Sequence, residues 1–136
     1  MQLNLPVDVA DVLQSLLNAA GHDACARPVP ETLDALLPLT VVDPIGGGRR
    51  DVVLDRFAVR FYTWASTNAD AIAESSAVMA TLLLHEGEVM DGTTLYHVAP
   101  TAMPYEAPDP VHPDIPRACF TASVYLRANT TEITTP

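Results

Sequence analysis

Six of the twelve prolines in this 136-residue chain fall between Pro100 and Pro116, one every two to four residues. Each ring fixes φ and removes an amide donor, so the segment is barred from a helix and from the middle of a sheet. It must run as an extended connection or as an edge. Upstream, residues 94–99 are strand-like. Downstream, Ala118, Phe120, Ala122, Val124 and Leu126 alternate with Arg117, Cys119, Thr121, Ser123, Tyr125 and Arg127, the period of a strand with one apolar face. The proline run therefore joins two strands within one domain.

The rest of the chain supplies partners for those strands. A helix opening at Val7 or Asp8 carries Val9, Val12, Leu13, Leu16, Leu17 and Ala20 on one stripe and stops at Gly21. Residues 31–37 read as a short helix or helical turn, and residues 39–42 as a strand. The turn-rich residues 43–51, with Gly46, Gly47 and Gly48 in succession, read as a hairpin loop. A long strand over 52–64 follows, with Val53, Phe57, Val59 and Phe61 on one face and Arg56, Arg60 and Tyr62 on the other. Thr67 and Asp70 resemble a capping box ahead of a second helix, with Ala69, Ile72, Ala73, Ser76, Met79, Ala80 and Leu83 as its apolar and small-residue face, that Gly87 closes. This order predicts an α+β fold: a mainly antiparallel or mixed sheet of about four strands with both helices on one face. Residues 1–128 form the single domain, and the polar, threonine-rich residues 129–136 are expected to be disordered.

Composition removes several function classes. Seven arginines and no lysine stand against seventeen acidic residues, a net charge of −10. Nucleic-acid binding through phosphates needs clustered positive charge, so this chain is expected to repel DNA. No apolar run approaches the ~20 residues that cross a bilayer, and the first residues carry no leader pattern, which predicts a soluble, non-exported protein. Cys25 and Cys119 have no redox or zinc spacing and read as free buried thiols.

Catalytic and ligand motifs are incomplete. His85-Glu86 lacks the second histidine of a zinc-protease helix, because position 89 is Val, and reads as the solvated end of the second helix. His97, His112, Asp109 and Asp114 are metal-compatible residue types without ligand spacing, and read as solvated loop residues. The 46–50 loop lacks the ending of a phosphate-binding loop, and no nucleophile elbow occurs. The chain thus reads as a non-enzyme with no metal and no cofactor. What remains is a set of surfaces. Arg49 and Arg50 sit on a loop tip, Arg56 and Arg60 on one strand face, Arg117 and Arg127 at the ends of another. Guanidinium pairs bidentately with carboxylate, so in an acidic protein such residues suit acidic patches on neighbouring copies, unless they are isolated surface charges. Arg49, Arg50, Arg56, Arg60, Asp109, Asp114 and Arg117 are the candidate partner-contact residues.

Taken together, the 7–20 helix, the Gly-Gly-Gly-Arg-Arg loop at 46–50 before a long strand, the alanine-rich helix at 69–84 and the ending Asp109-Pro110-x-x-Pro113-x-x-Pro116-Arg117 before a strand resemble the tail terminator, or tail-completion, proteins of lambda-like long-tailed phages and prophages. The resemblance spans residues 7–128. It implies a small α/β fold, no catalytic residues, and a six-membered homo-oligomeric ring, formed in solution or only on the tail, that caps the head-proximal end of the tail tube. The implied partners are further copies of the chain, the tail tube protein and the head–tail connector, and the implied location is the virion, with the host cytoplasm during assembly. A head–tail joining (neck) protein is the alternative in the same setting, and a small-molecule or metal-binding α+β domain the alternative in another class.

Overall fold

The computed structural model describes residues 2–90 and 92–132. Helix α1, Val9–Ala19, forms where the apolar stripe predicts it. Asp8 caps it by accepting the Asp11 amide at 3.2 Å, and Val9, Val12, Leu13, Leu16 and Leu17 are buried along one side. The second helix, Asn68–Leu84 (α2), starts at the expected cap, with Thr67 Oγ1 accepting the Asp70 amide at 3.0 Å. It buries Ala71, Ser75, Val78 and Leu82 rather than the expected face, of which Ala69, Ala73, Ala80 and Leu83 are exposed; apolar and small residues occur all round this helix, so their spacing does not single out the buried side.

Both helices lie on one face of a sheet. With β1 at Gln2–Leu5, the strands that follow are β2 (Ala24–Ala26), β3 (Leu39–Arg49), β4 (Leu54–Trp64), β5 (Val89–Met90), β6 (Thr93–Glu106), β7 (Arg117–Arg127) and β8 (Asn129–Glu132). Six of them form one mixed sheet in the order β2-β3-β4-β7-β6-β5, in which only β2 and β3 run parallel. The α+β architecture is thus the expected one, but the sheet is larger than about four strands. The additional members are two and three residues long, too short to show a period.

Two further segments differ from expectation. Residues 43–49 continue β3 across a register shift between Pro44 and Gly47 and do not form a free loop. Residues 129–132, expected to be disordered, pair antiparallel with residues 2–5 in a separate two-stranded ribbon; residues 133–136 lie outside the described part. The proline run behaves as its chemistry requires. Pro100 and Pro104 sit in β6, whose outer side meets only the two residues of β5, and shifts in register interrupt its ladder to β7 around both.

Alternation sorts the side chains. On the helical face, Val42, Val59, Phe61, Phe120, Ala122 and Val124 pack with Leu13, Leu17, Val78 and Leu82. Phe61 and Phe120, opposite each other in register, stack with centroids 4.5 Å apart. The other face is covered only in part. Val29, Leu33, Leu37 and Ile115, carried by residues 27–38 and 107–116, fold over Leu39, Val41, Tyr62 and Trp64 and leave the far end of β4, β7 and β6 open.

Candidate interaction surface

The covered half of this face is held by an arginine threaded between aromatic rings. Arg117 begins β7 directly across from Trp64, and its guanidinium lies over the Tyr62 ring at 4.2 Å and within 5.6 Å of the Trp64 centroid. Its Nε donates to Ala107 O at 2.6 Å and its Nη2 to Pro108 O at 3.1 Å, so one side chain ties the proline segment to the sheet. Beside it, Asp109 is buried. Its Oδ2 accepts from Trp64 Nε1 at 3.2 Å and from His112 Nδ1 at 2.9 Å, and its Oδ1 accepts the Val111 amide at 2.9 Å. An ionised carboxylate only accepts, which places a proton on Nδ1 of His112.

Asp109 was expected to be solvated; it is instead the centre of this network. Burial pushes its carboxyl up, but hydrogen bonds from His112, Val111 and Trp64, together with the Arg117 charge, outweigh that and hold it below the usual carboxylate range. A carboxyl depressed on folding stabilises the protein at all pH above its unfolded value, and the contribution disappears as pH falls through the folded value. Thermal stability is therefore expected to drop as pH falls below about 4, where an unfolded aspartate takes up its proton. An Asp109→Asn variant should lose part of that acid sensitivity; a scan by circular dichroism from pH 7 to acid checks this.

The same half forms a groove of about 410 Å³ lined by Arg27, Val29, Tyr62, Trp64, His112 and Arg117. Its cations are already engaged. Arg27 and Arg60 both reach Asp43 Oδ2, at 3.4 and 3.1 Å, and Arg117 is held by carbonyl oxygens and Asp109. Among the described residues no group of three or more His, Cys, Asp and Glu side chains is placed to hold a metal ion. His97 lies apart from His112, paired with Glu86 Oε1 at 3.0 Å and tilted against Tyr125, while Asp114 is exposed on the proline segment. Cys25 and Cys119 lie in one row across the sheet, with Val41 and Tyr62 between them, three strand spacings or ~14 Å apart, too far for a disulfide. Cys25 is only half-buried. Burial pushes both thiols up, away from the thiolate that nucleophilic chemistry uses.

The open half carries the remaining candidates. Arg56 stands opposite Tyr125 in register and reaches Ser123 Oγ at 3.4 Å. Arg50 lies over the Tyr125 ring at 5.7 Å, and Arg127, two residues further along the same side of β7, contacts Tyr96 Oη at 3.4 Å. Arg49 is the exception: it turns away to make a bidentate pair with Asp55 at 2.6 and 3.0 Å and to donate to Asn4 O, tying β1 to the hairpin. Of the seven candidate contact residues, then, Arg49, Asp109 and Arg117 serve internal contacts and Arg60 shares Asp43 with Arg27. Arg50, Arg56 and Asp114 remain outward. The aromatic members Tyr62, Trp64 and Tyr125 were not among the candidates, although their alternation with Arg60, Arg117 and Arg127 already put them on one face; the anchor Asp43, read as part of a loop, carried no such signal and reaches the face only because β3 continues opposite Arg60.

No helix among the described residues is long and apolar enough to cross a membrane. No protein-family model matches the chain, and no curated protein matches it.

Proposed function

We propose that this chain is a structural phage protein that caps the head-proximal end of the tail tube as a ring, ends tube polymerisation and offers the surface to which the head attaches. One observation carries the reading. The half of the sheet that resembles a ligand groove has its charges satisfied internally, whereas the open half presents Arg50, Arg56 and Arg127 with no carboxylate partner among the described residues, in a chain of net charge −10. That is the arrangement of a surface waiting for an acidic protein neighbour. The element order of two helices on one face of a mixed sheet fits the resemblance seen in the sequence.

Deleting the gene from the phage or prophage that encodes it and measuring tails by negative-stain electron microscopy tests this. Overlong, headless tails are the expected result. Tails of normal length left unattached to heads assign the protein to the neck instead, and unchanged particles remove it from tail assembly.

A further inference from the structure

Charge is distributed unevenly over this molecule, and the unevenness has a direction. Residues 1–26 and 61–116 contain no arginine or lysine, and these segments include both helices. Six of the seven arginines, Arg27, Arg50, Arg56, Arg60, Arg117 and Arg127, lie on the sheet face opposite the helices, by register or by contact. Three of those six are matched internally to Asp43 and Asp109. The other three, without a carboxylate partner among the described residues, surround Tyr125 at the end of the sheet where Leu54 faces Arg127.

The carboxylates beside these residues in the chain or through contacts are engaged elsewhere, Asp55 by Arg49. Asp51 Oδ1 accepts the amides of Val53 and Leu54, and Glu86 Oε1 is held by His97 and the Val98 amide. At the other end of the sheet, on the helical side, Asp23 and Asp70 are exposed without a basic partner among the described residues. They flank the His22–Glu74 pair that joins the turn after α1 to α2. Ten residue steps of β4 separate the two ends, about 33 Å, several Debye lengths in physiological salt. The two patches cannot neutralise each other within one molecule.

We propose that a second copy of this chain docks head to tail, its Asp23 and Asp70 on the Arg50, Arg56 and Arg127 patch. The contact rests on the ring-forming reading above and gives it an interface. Because the two patches sit on opposite faces and opposite ends, the association is heterologous, the kind that closes into a ring when the rotation per step permits. Patch-to-like-patch pairing, as a two-fold dimer on either surface would require, sets like charges together and is disfavoured.

Two double variants test the contact: Arg50→Glu with Arg127→Glu, and Asp23→Arg with Asp70→Arg. Circular dichroism melting confirms that each is folded, and analytical ultracentrifugation up to millimolar concentration reads assembly. The wild type is expected to associate, more weakly as salt rises. Each variant alone should associate at least ~10-fold more weakly, while an equimolar mixture recovers association, because each then offers the other an opposite charge. A wild type that stays monomeric throughout, variants that associate as it does, or a mixture that shows no recovery overturns the contact. None of these results bears on tail length, so the terminator reading stands or falls by its own experiment.

Discussion

Replacing Asp109 with alanine is expected to lower stability by about 3–5 kcal/mol and to release residues 107–116 from the sheet, because the loss strips a buried charge network of its acceptor. The indole N–H of Trp64, itself 1 % exposed, would be left without a partner, and the Val111 amide and His112 Nδ1 would lose theirs. Arg117 would keep its two carbonyl acceptors and its stacking on Tyr62 but lose the nearby negative charge. Besides Arg117 and the packing of Ile115 on the covered half of the sheet, the proline segment has little to hold it. Its prolines contribute no amide donors, and its backbone bonds to the rest of the fold are few: Ala107 N to Arg117 O and Ala65 N to Pro116 O. Denaturant unfolding measures the loss, and limited proteolysis reports where the chain opens. A change below about 1 kcal/mol, or cleavage outside residues 107–116, would show that the network is incidental.

The second large effect belongs to Gly47. A Cβ on this residue would stand 1.9 Å from the Arg56 carbonyl oxygen and 2.9 Å from its carbon, at a φ of +148°, so the two strands would have to separate. Gly47→Ala is expected to cost about 3 kcal/mol or more, beyond what conformational strain alone explains. Its neighbours provide the control. At Gly48 a Cβ meets nothing and φ is unremarkable, so Gly48→Ala should be close to neutral; at Gly46 it also meets open space, but the φ of +112° leaves strain of about 1–2 kcal/mol. An order of loss other than 47, 46, 48 in thermal melts would refute this account of the bulge. Since Gly47 backs onto Arg56, the same substitution is expected to disturb the arginine patch.

The run Gly46-Gly47-Gly48 shows where the sequence was informative and where it was not. Three glycines signal a chain without side chains to pack, and a loop follows from local chemistry alone; that they instead let β3 approach β4 across a bulge depends on the position of Arg56, supplied by the partner strand. The α1 stripe, the Thr67 cap and the alternation of β7 are local patterns, and all three were legible. β2 and β5 are too short for any period to appear, and the β1–β8 ribbon joins segments more than a hundred residues apart whose polar composition resembles that of a tail. The surface was half legible. Alternation assigned Arg56, Arg60, Tyr62 and Arg117 to their face, but which end of that face is covered is decided by residues 27–38, whose own pattern is weak. Asp109 looked solvated because nothing near it in sequence announces Trp64, forty-five residues away.

The prolines of β6 have a consequence for the fate of the protein when it fails to fold. Residues 118–126, the interior of β7, form an uncharged, strongly β-prone stretch of the kind that stacks into fibrils. In the native sheet it is sheltered between β4 and β6, and β6, one of the two outermost long strands, lacks amides at Pro100 and Pro104, which makes it a poor template for a foreign strand. In the unfolded chain the shelter is gone, and Arg117 and Arg127, one at each end of the stretch, are what remains to keep two copies apart. The residues that anchor the proline segment and the open patch in the native state thus act as gatekeepers against aggregation before it is reached.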